Sequence, residues 1–287
     1  MRCSVFTVIM GEYAVEAAAR ELASLGYDGV EWRVHPDYHI HPVELEDKAA
    51  ELVKLSTDHG LGIPVLGTYV RVDALKQLES ACRAAAAMGC PNVRISLRQV
   101  YDGRQPFSEL FEEARTDLAS AAQTLEQHNV RGLFETHHGT IAESASGMRQ
   151  LLDGFPPETF GTIFDPGNMI IAGCESWRMA IDILGPYLVH VHVKNVSWNR
   201  AEDVSWRWAF DTLQAGMVDW REVIAALGEA GYDGYLSVED LYGVKLKTTG
   251  FVGESLPSHA ISSISIKQKL ADDLAFLKSC LPEKSSS

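Results

Sequence analysis

The chain has 287 residues, of which 46% are hydrophobic and 22% charged, so it can bury a sizeable core and is not typical of a disordered protein. Its formal net charge of −14 argues against nucleic acids and anionic membranes as partners, because both attract proteins rich in lysine and arginine. The five cysteines lie far apart without a CxxC pair, which favours free thiols in a reducing, cytoplasmic compartment. The amino terminus reads as a first strand and not as a signal peptide, and no apolar stretch reaches the roughly 18 residues of a transmembrane helix.

Short β-rich segments alternate with longer segments of helical periodicity along the whole chain. The predicted strands cover residues 2–8, 28–34, 63–70, 92–97, 130–136, 159–165, 187–195 and 234–240. Several predicted helices end in a residue that favours the left-handed conformation, at Gly26, Gly60, Gly89, Asn129 and Gly231. This alternation predicts an α/β fold, a single (β/α)8 TIM barrel over residues 1–282, with a disordered tail at 283–287. An open doubly wound sheet is the alternative, but the glycine-rich phosphate loop expected after its first strand is missing.

Two predicted connections, 196–218 and 241–260, are long for a compact domain, and such loops are usually functional or mobile. The first carries four large aromatic residues: Trp198, Trp206, Trp208 and Phe210. It is interpreted either as a wall or lid over a ligand, or as a subunit contact or small satellite core. Because one exposed aromatic patch of this size would be costly, we expect a homo-oligomer, either a dimer or a tetramer.

Four potential metal ligands fall near the carboxyl ends of the last four predicted strands: Glu135, Asp165, His192 and Glu239. A single acidic residue at a strand end is often only a helix cap, but four such positions on adjacent barrel strands indicate a shared site. Three converging carboxylates would also repel one another strongly without a cation. Carboxylates with one imidazole suit one hard divalent cation, with manganese favoured and magnesium, cobalt or zinc as alternatives.

Side chains alternate along a strand, so His190, His192 and Lys194 of the segment VHVHVKN share one face. His190 lies deeper and is either a substrate contact or a hydrogen-bonded core histidine. Lys194 lies nearer the rim and is a candidate to bind a substrate oxygen or anion, with a Schiff-base role disfavoured by the metal cluster.

Two further candidates come from strand position. Glu31 ends the second predicted strand and is a candidate substrate contact, the alternative being a salt bridge inside the barrel, for instance with Arg94. His137 follows Glu135 by two residues and is a candidate acid, base or hydrogen-bond donor to substrate.

Several segments together resemble the xylose-isomerase-like barrel superfamily of sugar phosphate isomerases/epimerases and the second AP endonuclease family. They are LGYDGVEWRV, LFETHHGT, IFDPGNM, VHVHVKN and GMVDWREVIAALGEAGYDGYLSVED, and the resemblance covers most of the chain. It implies that Glu135, Asp165, His192 and Glu239 hold one metal near the carbonyl and hydroxyl oxygens of a substrate. It also implies that the two glutamates transfer protons, as the matching residues do in sugar epimerases of the superfamily.

The sequence departs from the endonuclease branch, which uses three zinc ions and additional histidines. The residue three after the sixth-strand aspartate is Asn168 instead of histidine, and the predicted strands 63–70 and 92–97 contain no histidine. DNA repair is therefore not expected. Asn168 is predicted to contact substrate or to support the ligands without ligating the metal itself.

These features predict a metal-dependent isomerase or epimerase of a small sugar, keto-polyol or related carbohydrate, acting through an enediolate. The alternative is a metal-dependent lyase on the same scaffold: a dehydratase, a decarboxylase or a carbon–glycoside cleaving enzyme. A barrel that binds carbohydrate without catalysis is a third class. A phosphorylated substrate is not favoured, because no glycine-rich phosphate loop is present.

Overall fold

A computed structural model describes residues 1–173, 175–244 and 265–282, and its eight parallel strands close into a barrel. The strands of the described residues, including two outside the barrel, are β1 (Arg2–Phe6), β2 (Gly29–Arg33), β3 (Leu66–Arg71), β4 (Asn92–Ser96), β5 (Arg131–Glu135), β6 (Phe160–Phe164), β7 (Leu188–Val193), β8 (Asn195–Arg200), β9 (Trp206–Asp211) and β10 (Tyr235–Val238). Around the barrel the order is β1, β10, β7, β6, β5, β4, β3, β2, while β8 and β9 form a separate antiparallel pair. The predicted (β/α)8 barrel is confirmed.

Amphipathic helices surround the strands. They are α1 (Val15–Leu25), α2 (Leu45–Asp58), α3 (Leu75–Ala87), α4 (Phe107–His128), α5 (Ala145–Leu152), α6 (Pro166–Ala172), α7 (Trp177–Leu184), α8 (Trp220–Glu229) and α9 (Ile266–Cys280). The helix ends predicted at Gly26 and Asn129 are confirmed, since both residues adopt the left-handed conformation with φ of 88° and 51°.

The lumen of the barrel has apolar side chains deeper inside and polar side chains at the carboxyl ends of the strands. Val65, Leu133 and Ile163 form a small buried cluster separate from the main core between strands and helices. Two residues further along β5 and β6, on the same face, come Glu135 and Asp165. The alternation of the strands therefore places carboxylates at the carboxyl ends, above a floor that excludes water.

The expectation of a loop over 196–218 is wrong for its first part, because residues 195–211 form the β8–β9 hairpin, with Trp198 opposite Trp208. Alternating aromatic residues in WRWAF, a period typical of a strand, were the signal that this interpretation overlooked. The predicted strand 187–195 likewise ends at Val193. The Asn195 side chain then donates to the carbonyl oxygens of Leu213 and Val218 at 2.9 and 3.0 Å and fixes the base of the hairpin.

The hairpin divides its aromatic residues between two environments. Trp208 is buried, with its ring at 5.4 Å from that of His138, whereas Trp206 is 65% exposed. The indole nitrogen of Trp198 donates to the carbonyl oxygen of Ile170 at 3.1 Å. The hairpin thus forms a wall at the α6 side of the barrel mouth. The homo-oligomer expected from the aromatic residues stays a prediction.

Some expectations fall outside the described residues. The tail 283–287 lies there, as does most of the connection 241–260, from residue 245 onward. Within the described residues, the cysteines are free and no helix is both long and apolar enough to cross a membrane.

Candidate metal and active site

The four predicted metal ligands converge at the carboxyl ends of β5, β6, β7 and β10. Glu135 is the last residue of β5, Asp165 and Glu239 directly follow β6 and β10, and His192 lies within β7. All four are buried, and each offers a ligand atom within 4.8 Å of those of the others. The consecutive positions seen in the sequence therefore correspond to one compact cluster.

Asn168 joins two of these carboxylates. Its Nδ2 donates to Glu135 Oε1 and to Asp165 Oδ2, both at 3.0 Å. Its Oδ1 accepts a hydrogen bond from His138 Nδ1 at 2.9 Å. The amide therefore presents its donor group to the cluster and turns its oxygen away from it, which supports a role outside the ligand set. Sequence reasoning missed His138, although the HH pair in LFETHHGT was a visible signal.

Asp165 is held by the helix that follows it. It is the N-cap of α6, where its Oδ1 accepts from the backbone nitrogen of Asn168 at 2.9 Å, and Pro166 begins the helix. Burial raises the pKa of Asp165 to about 8, even though the nearby Lys194 ammonium opposes this shift. The backbone thus fixes one oxygen of this carboxylate and leaves Oδ2 directed into the cluster.

Arg94 on β4 fixes one oxygen of Glu135. Its Nη2 and Nε donate to Glu135 Oε2 at 2.7 and 3.1 Å, and its Nη1 donates to the carbonyl oxygen of Thr68 at 3.0 Å. The alternative that paired Arg94 with Glu31 is therefore wrong, because β3 separates β2 from β4 whereas β4 and β5 are neighbours. Burial opposes ionisation of Glu135, but Arg94, Lys194 and His192 together outweigh it, and the pKa of this carboxyl lies well below its usual range.

The Lys194 ammonium lies inside the carboxylate cluster. Its Nζ is 2.7 Å from Asp165 Oδ2, 2.9 Å from Glu239 Oε2 and 3.5 Å from Glu135 Oε1. Its stem packs on Gly167, where an added Cβ would lie 2.7 Å from Lys194 Cγ. Burial would raise the pKa of Glu239, but Lys194 and His192 together lower it to about 2.

The donor set fits a divalent cation. Hard carboxylate oxygens and one imidazole are the ligands that manganese and magnesium prefer, and the oxygens already attract a positive charge in the form of Lys194. The described residues thus bring together a candidate metal site, with Lys194 directed at the same oxygens.

Glu31 and His190, both predicted to bind substrate, lie beneath this cluster. Glu31 is 0% exposed and His190 is 1% exposed. His190 Nε2 lies 3.1 Å from Glu31 Oε2, and His192 Nε2 lies 3.2 Å from the same oxygen. Burial opposes ionisation of Glu31, but the two histidines outweigh it and lower the pKa of this carboxyl. Glu31 contacts His190 and other buried side chains, and neither Glu31 nor His190 lines the cavity described next.

A cavity of about 240 Å³ opens beside Glu135. Its polar lining consists of Tyr69, Arg94, Ser96, Glu135, His137 and Thr140. His137 Nδ1 lies 2.8 Å from the carbonyl oxygen of His138 and so donates to it, because a carbonyl only accepts. Burial lowers the pKa of His137, which keeps the ring neutral at neutral pH with Nε2 as an unprotonated nitrogen.

Comparison with known proteins gives relatives that match part of the chain. An inosose dehydratase of Lacticaseibacillus casei is 22% identical over 156 residues, which are 50% of this chain and 51% of the relative. The rhizopine catabolism protein MocC of Rhizobium meliloti is 29% identical over 157 residues, 48% of each chain. The chain therefore spans about half the length of the curated relatives it matches.

Solved structures match over nearly the whole chain. A D-psicose 3-epimerase of Clostridium cellulolyticum H10, solved with D-tagatose, superposes with a TM-score of 0.73 at 15% identity, covering 98% of this chain and 99% of that one. The probable 3-DHS dehydratase AsbF of Bacillus anthracis gives 0.67 at 18% identity, covering 97% and 99%. At these identities the likeness shows the fold alone. Residues 19–280 match the family described as xylose isomerase-like TIM barrel, so the predicted resemblance is confirmed and the chain belongs to that family.

Proposed function

We propose that this protein is a divalent-metal-dependent enzyme that removes a proton from the carbon beside a ketone in a small carbohydrate and so isomerises or epimerises it. The observation that carries the proposal is the position of His137. Its unprotonated Nε2 belongs to a ring that lines the same cavity as Glu135, one of the four clustered candidate ligands. A base beside a metal site is the arrangement that such proton transfer needs.

Glu135, Asp165, His192 and Glu239 would hold the cation. A divalent cation bound there would polarise the substrate carbonyl and acidify the neighbouring C–H bond. We propose manganese first, because it accepts both the hard oxygen ligands of the three carboxylates and the nitrogen ligand of the imidazole.

The contacts of the two glutamates favour a division of roles. Arg94 holds Glu135 Oε2, and a guanidinium on a carboxylate makes it a poor base. We therefore propose that Glu135 serves as a ligand, while His137 removes the proton and keeps it. A different proton would reach the substrate through Glu239, which would receive it from the Lys194 ammonium, 2.9 Å from its Oε2. His137 follows β5 and Glu239 follows β10, with β6 and β7 between them, so the two groups approach a substrate from different directions. The expectation that both glutamates carry protons is therefore kept for Glu239, whereas His137 takes the role expected of Glu135.

A dehydratase is the second candidate. The curated relatives named inosose dehydratase favour it, and Lys194 provides a cationic donor 2.9 Å from Glu239. In that reaction His137 would take the proton from carbon, Lys194 would protonate the hydroxyl on the adjacent carbon, and water would leave.

Proton/deuterium exchange in heavy water, across a panel of keto-sugars and inososes with Mn²⁺ added, tests the proposal. Deuterium at carbon with recovered isomers supports the isomerase or epimerase, and loss of water supports the dehydratase. Binding without exchange across the whole panel would contradict both and would favour a carbohydrate-binding barrel.

We predict one divalent ion per chain, because the four candidate ligands form one cluster around a single position. Elemental analysis of freshly purified protein measures the metal-to-chain ratio. Replacing His192 with alanine should abolish binding. A ratio of three, or full binding by that variant, would refute the site.

Replacing Asn168 with alanine should retain the metal but lower turnover by ~10–100-fold, as expected for a group that orients ligands from outside. The variant loses the hydrogen bonds to Glu135 and Asp165 while leaving both carboxylates in place. Metal titration and steady-state kinetics measure the two effects separately. Complete loss of metal would mean that Asn168 is itself a ligand.

A further inference from the structure

A second buried polar layer lies directly under the candidate metal ligands. Within it, Ser237 Oγ donates to Glu31 Oε2 at 2.9 Å, and His190 Nε2 lies 3.1 Å from the same oxygen. His192 Nε2 lies 3.2 Å from Glu31 Oε2 and 3.3 Å from Oε1. All of these side chains are essentially inaccessible to solvent. The Glu31 carboxylate is therefore surrounded by donors from within the protein and does not reach a substrate.

His192 belongs to both layers, with one ring nitrogen in each. Its Nδ1 lies 3.3 Å from Glu135 Oε1 and from Glu239 Oε2, among the candidate ligands. Its Nε2 faces Glu31. Because an ionised carboxylate only accepts hydrogen bonds, Nε2 must keep its proton for the Glu31 contact to be favourable. Nδ1 is then the nitrogen that faces the metal position and would offer its lone pair to a cation bound there.

Packing alone does not select this orientation. The His192 ring stacks on Phe6, with centroids 5.5 Å apart and planes 17° from parallel. An imidazole flipped by half a turn has nearly the same outline, so such a stack would accept either orientation and hydrogen bonds must decide between them. Glu31 supplies those hydrogen bonds on the side away from the metal position.

We propose that Glu31 is a positioning residue that fixes the orientation and tautomer of His192, so that Nδ1 is the metal ligand. The proposal rests on the proposed function, since it requires a metal at the upper layer. A carboxylate behind a ligating histidine makes the histidine a better ligand, and its loss typically costs ~10–100-fold in metal affinity.

Replacing Glu31 with glutamine tests this. The amide has the same shape but no charge. With its oxygen at the Oε2 position, where His190, His192 and Ser237 converge, its NH₂ group takes the Oε1 position, 3.3 Å from His192 Nε2. We expect zinc, used as a diamagnetic probe, to bind ~10–100-fold more weakly in competition titrations. In the unmodified zinc-loaded protein, ¹⁵N NMR of labelled histidines should show His192 protonated at Nε2 and metal-bound at Nδ1. The variant should lose that pattern.

Replacing Ser237 with alanine is the matched control, because it removes a hydrogen bond to the same Glu31 oxygen and leaves every side-chain hydrogen bond of His192 in place. It should keep the zinc affinity and the His192 spectrum of the unmodified protein. Equal losses in both variants would overturn the proposal, since they would indicate general loosening of the layer. Unchanged affinity and spectrum in the Glu31→Gln variant would overturn it too.

The same measurements separate this proposal from the proposed function. Failure of the unmodified protein to bind zinc would count against the metal site itself. The spectrum of the metal-free protein then decides the role of Glu31. A hydrogen-bonded Nε2 proton of His192 that disappears on Glu31→Gln substitution supports the contact, and one that persists unchanged refutes it.

Discussion

Replacing His137 with glutamine is expected to slow proton/deuterium exchange at the substrate carbon by about 10²–10⁴-fold, the usual contribution of a general base. Metal binding should remain, because His137 is outside the ligand cluster. Burial lowers the pKa of His137 below its usual value, so the base stays unprotonated as the pH falls through the range of an ordinary histidine. Exchange by the unmodified protein should therefore persist to pH values somewhat below about 6.5 and then fall.

His138→Gln is the matched control for this prediction. His138 stacks on His137, with ring centroids 4.5 Å apart, and donates to Asn168, which a glutamine amide can also do. Replacing His138 should therefore slow proton/deuterium exchange much less than replacing His137. If the His137 variant kept full exchange while Glu135→Gln abolished it with metal still bound, the proton would be carried by Glu135 and the assignment to histidine would fail.

Replacing Lys194 with methionine is expected to tighten Mn²⁺ binding by at least about tenfold, because the ammonium and the metal attract the same oxygens. A unit charge about 4 Å from a dication is repelled by several kcal/mol even at a high effective dielectric constant of ~20. Rearrangement of the side chains should relieve part of this repulsion. A change of about 1.4 kcal/mol in binding free energy corresponds to a tenfold change in metal affinity. Calorimetric titration of the metal-free protein measures the effect.

The same substitution should destabilise the metal-free protein by about 3–5 kcal/mol, since it leaves buried carboxylates without their cation. Added metal should restore much of that loss in thermal melts. Lys269→Met is the control, because the partly exposed Lys269 is also paired with two buried aspartates, Asp240 and Asp273, but lies outside the metal-ligand cluster. It should lower stability and leave metal affinity unchanged. Weaker metal binding after Lys194→Met would show that Lys194 organises the ligands and does not compete with the cation.

The local pattern of the sequence determined the architecture and the place of the candidate site. Alternating strand and helix periods predict the barrel, and a barrel places strand ends together, which is enough to collect Glu135, Asp165 and Glu239 at one end. The period of two along VHVHVKN likewise puts His192 and Lys194 in the lumen, where their contacts now lie. These inferences depend only on the order and spacing of residues along the chain, which the sequence contains completely.

The partners of these side chains were decided by the tertiary structure. Arg94 pairs with Glu135, 41 residues away, and Glu31 reaches His192, 161 residues away, because the order and stagger of the strands determine which side chains face each other across the lumen. The same contacts decide which oxygen of Glu135 remains available to a metal and which nitrogen of His192 faces Glu31. Residue types alone carry none of this information, since a hydrogen bond depends on the position and direction of both its partners.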